Sequence, residues 1–281
     1  MKYVSPVVVL ACSAAALLVA CGGGGSESTT GAVPVTAIVA VSAPVSDARQ
    51  IEIEDKIVST FENSTTVIQY AFIANINDGR GYTAGRAGFT SGTGDMLQVV
   101  QAYTALVPGN VLAKYLTALQ QVNGSASVAG LGGLVAAWQA AATDARFLAV
   151  QDSVNDTLYR QPARLLATSL GASLPLSKLA LYEAGIQHGY GPDYDSVSKI
   201  VERASASAGG SPSNGVDEKK WLQAFLTERR KDLLNPANTA TAAGWAASVS
   251  RADAIQSIYS NGNFNLDKAI AYTVYGTAFS I

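Results

Sequence analysis

Cysteine and histidine are almost missing from this chain, and their scarcity excludes several kinds of chemistry. The 281 residues include two cysteines and one histidine, and both cysteines, Cys12 and Cys21, lie within the first 21 positions. The chain after Cys21 therefore has no disulfide, no cysteine nucleophile and no cysteine-ligated zinc or iron–sulfur cluster. The single histidine, His188, cannot form a multi-histidine site, so we predict no metal and no cofactor.

A strong excess of charge is also lacking. Lys and Arg number 19 against 21 Asp and Glu, a formal charge of −2, which gives no reason to expect a nucleic-acid partner. His188 could serve a Ser-His-Asp triad, but the chain has no Gly-x-Ser-x-Gly elbow, so a serine hydrolase is discarded. A structural role for His188 at a helix end is favoured. Carboxylates remain as the best candidates for catalytic groups.

The first 20 residues resemble an export signal. Lys2 is the only charge in the first 26 positions, and an apolar stretch rich in small residues follows it, which is typical of a secretory h-region. The run Leu18-Val19-Ala20-Cys21 resembles the lipobox of a bacterial lipoprotein, in which the Cys becomes lipidated. We therefore predict a signal peptide over 1–20, with lipidation of Cys21 favoured over an ordinary signal peptide in which Cys21 is incidental.

Residues 21–48 are rich in Gly, Ser, Thr, Val, Ala and Pro and carry only Glu27 and Asp47 as charges. This composition predicts a flexible tether rather than an edge strand, since Pro34 and Pro44 disfavour a strand. We expect the catalytic domain to occupy 49–281 and the protein to be exported, either to the extracellular medium or as an outer-membrane or cell-surface lipoprotein. It is expected to be a monomer that contacts membrane only through lipid on Cys21.

The domain is predicted to be mainly α, with a small β-sheet or hairpin. Ile53, Ile57 and Phe61 recur at helical spacing and predict a helix that begins near Asp47. Val67, Ile68, Phe72 and Ile73 suggest a second helix. The interval 77–94 has six glycines and favours a hairpin or meander.

Helical periodicity resumes at Asp95. The predicted later helices cover 95–103, 111–119, 134–143, 145–159, 177–188, 194–208, 217–234 and 239–259, and 272–281 is predicted to be extended. Trp138, Trp221 and Trp245 lie among apolar neighbours, which favours core packing over sugar stacking. A helical body interrupted early by a small sheet is the layout of lysozyme-like folds, and this analogy by itself does not establish function.

Two carboxylates flank the predicted junction between helix and hairpin. Glu62 closes the first helix, and Asp78 opens the glycine-rich interval. Paired carboxyls across a cleft are what glycoside hydrolysis requires, one protonated and one ionised. From spacing alone, a capping Glu and a turn-forming Asp are favoured over this catalytic interpretation.

The amino-acid sequence of this segment favours the catalytic interpretation. Its runs are Phe61-Glu62-Asn63-Ser64, Asp78-Gly79-Arg80-Gly81-Tyr82-Thr83, Gly88-Phe89 and Ser91-Gly92-Thr93-Gly94-Asp95. They closely resemble the signature of chitosanases in glycoside hydrolase family 46. The resemblance continues more loosely through Ala224-Phe225-Leu226 with Arg229 to Tyr275-Gly276.

The resemblance implies a role for each matching residue. Glu62 matches the general acid, Asp78 the general base that activates water, and Thr83 the hydroxyl that helps to hold this water. Arg80 matches an arginine that positions the base or the substrate, and Asp95 a carboxylate that binds a glucosamine amino group.

A buried acid–arginine network that supports the general acid is also implied, and we place it on Glu183, Arg229 and Arg251. Glu183 stands where Asp is expected. The implied fold is a two-lobed, lysozyme-like helical structure with the cleft between the lobes, and the implied reaction is endo-hydrolysis of chitosan with inversion. Two alternatives stay open, a lysozyme-like peptidoglycan hydrolase and a non-catalytic polysaccharide-binding lipoprotein.

Overall fold

The structure, a computed structural model, describes residues 48–281. The predicted signal peptide, nearly all of the tether and the predicted lipidation site Cys21 lie outside the described residues. Within 48–281, no helix is both long enough and apolar enough to cross a membrane.

The described chain is mainly helical, with two small antiparallel sheets. Its α-helices are α1 (Ala48–Asn63), α2 (Asp95–Leu106), α3 (Leu116–Val122), α4 (Leu134–Ala141), α5 (Ala145–Asn155), α6 (Gln161–Leu170), α7 (Pro175–His188), α8 (Val197–Ala208), α9 (Glu218–Leu234), α10 (Ala242–Ala247) and α11 (Val249–Ser260). Short 3₁₀ turns cover Ala113–Tyr115 and Pro212–Asn214, and a π-helical turn covers Asp156–Arg160. The strands are β1 (Ile73–Asn75), β2 (Tyr82–Ala84), β3 (Phe89–Thr90), β4 (Ala271–Val274) and β5 (Thr277–Ser280). The predicted fold class is confirmed.

The first helix is where its apolar spacing predicts it. Ile57 and Phe61 are buried, whereas Glu52 on the other face is exposed, as expected for an amphipathic helix at a core surface. The helix ends at Asn63, and Ser64 has a φ of 54°, a left-handed conformation that stops helical propagation. The second helix, predicted from Val67 to Ile73, is wrong.

A three-stranded antiparallel sheet replaces that second helix. Ile73 is opposite Ala84 in β2, and Thr83 is opposite Thr90 in β3. Ile73, one of the apolar residues on which the helix prediction was based, lies in β1, where a branched side chain is favourable. The predicted hairpin or meander is confirmed, and it begins earlier than the glycine-rich interval.

Two large hydrophobic cores divide the domain into two lobes. The first lobe contains the three-stranded sheet and α2 to α5, and its core includes Trp138 and Phe147 in an edge-to-face pair. The second lobe contains α1 and α6 to α11, and its core includes Trp221 stacked on Phe225. Trp245 packs in a small third cluster with Leu233 and Ala252. All the tryptophans are buried, so the prediction that they pack in the protein interior is confirmed.

One continuous helical rod joins the lobes. The helix predicted over 145–159 does not end there, because α5 passes through the π-turn directly into α6. Pro162 lies at the start of α6, where it can donate no hydrogen bond to the preceding turn. The wider π-turn just before this proline accommodates the missing bond, so the chain continues helically across the junction.

Other boundaries differ from the predictions in smaller ways. The helix predicted over 239–259 is two helices, α10 and α11, which meet at Ser248. The segment predicted as a helix over 111–119 is a 3₁₀ turn followed by α3. The predicted extended segment near the end is the hairpin of β4 and β5, in which Tyr272 is opposite Phe279.

Candidate active site

The last turn of α1 places Glu62 inside the protein, against Arg251 of α11. Its side chain is 2% exposed. Burial raises the pKa of Glu62 above its ordinary 4.5. The positive charge of Arg251 opposes this increase, the negative charge of Glu183 adds to it, and Arg80 has a smaller opposing effect. Among the described residues, neither Glu62 oxygen accepts a hydrogen bond of good geometry. A buried carboxyl with a raised pKa is suited to carry and donate a proton.

Asp78 lies in the loop between β1 and β2 and is partly exposed. Its carboxylate accepts hydrogen bonds from the Arg80 amide (3.1 Å to Oδ1) and from Arg80 Nε (2.9 Å to Oδ2). Arg80 Nη2 forms an ion pair with the same carboxylate. The arginine amide and guanidinium together hold the Asp78 carboxylate in one orientation.

Close backbone packing fixes the position of Arg80. The Gly92 amide donates to the Arg80 carbonyl at 2.9 Å. A Cβ on Gly92 would lie 2.8 Å from that carbonyl oxygen and would also overlap the Ser125 carbonyl. Only glycine allows this approach, and the Asp78–Arg80 pair thereby becomes part of a fixed loop.

Thr83 lies on β2, in the strand that leads away from the Asp78 loop. The residue is buried, and its hydroxyl has no hydrogen-bond partner among residues 48–281. An unpartnered buried hydroxyl is uncommon. Arg80, in the loop that leads into β2, lowers the pKa of Glu62 at the end of α1.

Asp95 opens α2 and is almost completely buried. Its Oδ1 accepts from the Thr90 amide (2.7 Å), the Met96 amide (2.9 Å) and the Thr93 hydroxyl (2.8 Å). Its Oδ2 accepts from the Tyr159 hydroxyl at 3.2 Å. Burial raises the pKa of Asp95, and these bonds counteract it. Oδ1 is therefore anchored to the protein, while Oδ2 is the oxygen with spare acceptor capacity.

Tyr159 joins this site, although sequence reasoning missed it. It lies on the π-turn and packs against both cores. Burial raises the pKa of its hydroxyl, and Asp95, then Glu62, raise it further. Tyr159 is therefore placed in the site by its hydrogen bond to Asp95. Its apolar neighbours in sequence give no sign of this, because the contact depends on how the rod crosses between the lobes.

The predicted supporting network is assembled in the second lobe. Arg229 on α9 and Arg251 on α11 both bind Glu183 on α7, with Arg229 Nη2 to Oε1 at 3.0 Å and Arg251 Nε to Oε1 at 2.7 Å. Arg229 Nη1 contacts Oε2, and Arg251 Nη1 lies 2.8 Å from Glu62 Oε1. Burial raises the pKa of Glu183, but the two arginines outweigh it and leave the pKa below its ordinary value. The sequence thus identified residues that do meet.

Two uncharged residues extend this network and were not predicted. Arg229 Nη2 also donates to Gln187 Oε1 at 2.8 Å, and Gln187 Nε2 donates to Ser248 Oγ. Ser248 directly precedes α11, which carries Arg251. Gln187 is four residues after Glu183, one helical turn, and this spacing was the available signal.

A second buried ion network lies at the junction between the lobes. Arg160 of the π-turn pairs with Glu54 and Asp55 of α1 and with Asp156. Its guanidinium also stacks on the Tyr182 ring, with a centroid distance of 4.6 Å. This network, also missed from sequence, ties α1 to the rod on the side of α1 that carries Glu54.

His188 has no place in the candidate chemistry. It is completely buried, its Nδ1 lies 2.9 Å from the Asp195 carbonyl, and its ring meets Trp245 edge to face. Burial lowers the pKa of His188 well below 6.5, so the ring is neutral. Within the described residues, no group of three or more His, Cys, Asp or Glu could hold a metal ion.

A cleft of about 400 Å³ opens where the two lobes meet. Thr93, Asp95 and Gln98 line it from the first lobe, the rod contributes Tyr159, and Gly185 and Tyr190 line it from the second. A larger surface groove beside Lys114 contains none of the candidate residues. Of the predicted site residues within 48–281, only Asp95 lines this cleft, whereas Glu62, Asp78 and Thr83 do not. The described residues provide a buried carboxyl with a raised pKa and a carboxylate held by an arginine, the two kinds of group that glycoside hydrolysis uses.

Comparison with known proteins agrees with this chemistry. The sequence profile of Glycosyl hydrolase family 46 matches residues 56–270. A chitosanase from Bacillus subtilis (strain 168) is 46% identical over 77% of this chain and 79% of its own length. A chitosanase from Streptomyces sp. (strain N174) is 40% identical over 88% of this chain and 86% of its own length.

Solved structures give the same result. The complex of a Gynuella sunshinyii chitosanase with chitotetraose has a TM-score of 0.80 and 43% identity, and covers 84% of this chain and 98% of its own. A mutant chitosanase from Bacillus subtilis MY002, complexed with 6 GlcN, has a TM-score of 0.80 and 44% identity, and covers 84% and 99%.

Proposed function

Because the chain belongs to glycosyl hydrolase family 46 and is a chitosanase, we propose that it cleaves chitosan internally with Glu62 as general acid and Asp78 as general base. The observation that carries this assignment is the contrast between the two carboxyls. Burial raises the pKa of Glu62, whereas Arg80 binds Asp78 through its amide and guanidinium. Opposite environments of this kind separate acid from base.

The proposed reaction is a single displacement at the anomeric carbon. Glu62 protonates the leaving glycosidic oxygen while Asp78 takes a proton from water, which attacks from the opposite face and inverts the configuration. Thr83 supplies a buried hydroxyl on the strand next to the Asp78 loop, and we assign it to orienting this water. Arg80 holds the base in place through its contacts with the Asp78 carboxylate.

Asp95 is proposed to recognise the glucosamine amino group. Chitosan amines are largely protonated in mildly acidic water, and a charge-assisted hydrogen bond contributes about 1.5–3 kcal/mol. The anchored Oδ1 leaves Oδ2 as the oxygen that pairs with an ammonium. An acetamide in the same position would leave the carboxylate unpaired, so the site favours deacetylated polymer.

Glu183, Arg229 and Arg251 are proposed to control the general acid. Arg251 pairs with Glu62, and Glu183 holds Arg251 from behind. This arrangement keeps Glu62 in one orientation and moderates the increase in its pKa that burial causes.

The central test compares Glu62→Gln and Asp78→Asn with wild type for release of reducing ends from chitosan. Each variant should lose about 10²–10⁴-fold in rate. Glu52→Gln, on the exposed face of the same helix, is the matched control and should retain wild-type activity. Near wild-type hydrolysis by Glu62→Gln would overturn the assignment, and NMR that shows retained anomeric configuration would overturn the inverting mechanism.

Peptidoglycan and chitin serve as competing substrates in the same assay. Faster release from either than from chitosan would favour a lysozyme-like activity instead. Binding of chitosan without new reducing ends would favour a non-catalytic role.

Export is also proposed, on the sequence of residues 1–21, and so is a monomeric state. Mass spectrometry of the protein from its producing cell tests the first, with lipid on the Cys21 sulfur as the expected finding. Light scattering tests the second and should give the mass of one chain.

A further inference from the structure

Tyr190 directly follows α7 and folds back to the place where the chain crosses between the lobes. Gly189 ends the helix with a φ of 67°, which turns the chain back. The Tyr190 hydroxyl then lies 3.0 Å from the Tyr159 carbonyl and 3.1 Å from the Leu181 carbonyl. The single hydroxyl proton is donated to one of them or shared by both. A side chain of the second lobe thus holds the backbone of the π-turn.

Gly185 forms the seat for this side chain. It lies inside α7, where glycine is less favourable than alanine, and its φ is not in the left-handed region. A Cβ at Gly185 would overlap the hydroxyl and the ring carbons of Tyr190. A glycine is therefore required at this position because any larger residue would displace the Tyr190 side chain, which packs directly against Gly185.

The carbonyl that Tyr190 holds belongs to a residue of the candidate site. The Tyr159 hydroxyl donates to Asp95 Oδ2 at 3.2 Å, the oxygen assigned to amine recognition. Tyr190, Tyr159 and Asp95 line the same interlobe cleft. A shift of the Tyr159 backbone would move its hydroxyl relative to Asp95, while Glu62 and Asp78 lie on other elements.

We propose that Tyr190, seated on Gly185, is a positioning residue that sets amine recognition by holding Tyr159 against Asp95. The inference rests on the proposed function, because it takes Asp95 as the amine-binding group. Its consequence is specific. Loss of the Tyr190 hydroxyl should raise the KM for glucosamine oligomers and leave kcat nearly unchanged, because the groups that break the bond are not displaced.

The first experiment measures kcat and KM of Tyr190→Phe on glucosamine hexamer. We expect KM to rise by about 3- to 10-fold, the effect of one neutral hydrogen bond, and kcat to stay within about twofold. Tyr259→Phe is the matched control, because the Tyr259 hydroxyl also donates to a backbone carbonyl, that of Lys219 at 3.1 Å, and does not line the cleft. It should keep the wild-type KM.

A double-variant cycle tests whether Tyr190 acts through Tyr159. If it does, Tyr190→Phe with Tyr159→Phe should have a KM within about twofold of Tyr159→Phe alone. Gly185→Ala tests the seat independently, since the added methyl displaces Tyr190 while alanine favours the helix. It should raise KM as Tyr190→Phe does, and Gly185→Ala with Tyr190→Ala should be no worse than Tyr190→Ala alone.

The outcomes separate this inference from the proposed function. An unchanged KM in Tyr190→Phe, or effects that add in the double variant, would overturn the role of Tyr190. A lower melting temperature with unchanged kinetics would also overturn it, because Tyr190 would then be only a structural contact. If Asp95→Asn and Tyr159→Phe also leave KM unchanged, the amine-recognition site itself is misassigned.

Discussion

Arg251 Nη1 lies 2.8 Å from Glu62 Oε1, and both side chains are buried. The same guanidinium donates through Nε to Glu183, so one arginine joins the candidate acid to a second buried carboxylate. The pair has consequences for both stability and pH dependence.

Removal of this guanidinium should destabilise the protein strongly. Arg251→Met takes the ion-pair partner away from the buried Glu62 and one of two arginines away from the buried Glu183, which costs about 3–5 kcal/mol in the free energy of unfolding. Urea denaturation measures it. Arg230→Met is the matched control, since Arg230 pairs with Asp253 at the exposed surface, and should change the free energy of unfolding by less than about 1 kcal/mol. Equal effects of the two variants would contradict the importance of the buried network.

The pH dependence of kcat/KM should report the buried acid. Glu62 must be protonated to donate, and burial raises its pKa above 4.5. The protonated fraction falls as pH rises through the raised pKa, so the alkaline limb of the profile should lie above the range of an ordinary glutamic acid. A soluble glucosamine oligomer as substrate avoids changes in polymer solubility. An alkaline limb centred near 4.5 would contradict the assignment of Glu62.

Substitution of Asp95 should change specificity as well as rate. Asp95→Asn removes the charge that pairs with an ammonium, and kcat/KM on fully deacetylated chitosan should fall by about 10- to 150-fold. The loss should be smaller on partially acetylated chitosan, in which some sugars offer no ammonium. Asp253→Asn, at the exposed surface, should leave both rates unchanged. Equal losses on the two polymers would argue against amine recognition by Asp95.

Close packing at Gly92 should be essential for activity. Gly92→Ala places a methyl group against the Arg80 carbonyl, so the loop with Asp78 must move. A displacement of about 1 Å can cost about 10²-fold in rate, and we expect kcat to fall by about 10- to 100-fold. Gly132→Ala is the control, because a Cβ there has nothing within 4 Å. Similar kcat values for both variants would contradict a fixed position of this loop.

The site could be predicted from sequence where its residues are close together along the chain. Glu62, Asp78 and Thr83 lie within one short block, and the resemblance of that block selected them. Glu183, Arg229 and Arg251, which the resemblance also selected, meet as expected. Their assigned roles stay predictions until the variants are measured.

Tyr159 and Tyr190 could not be found in this way. Their bonds to Asp95 and to a backbone carbonyl depend on the path of the rod between the lobes. Pro162 in the sequence indicates a break near this point, whereas the π-turn accommodates the proline and lets the helix continue. The helix predicted over 67–73 is wrong for a related reason. Its apolar pattern suits a helix, but pairing with β2 decides the conformation at Ile73.

The hydroxyls of Thr60 and Tyr272 lie 2.8 Å apart across 212 positions of sequence, two residues from Glu62 at one end. A contact of such separation closes late, because the entropy of a long loop must be overcome before the contact contributes. During synthesis, α1 is made before α11 and the β4–β5 hairpin, which form part of its surroundings. The buried surroundings of Glu62 include Arg251 of α11, so the setting that raises the pKa of this candidate acid requires both distant parts of the chain.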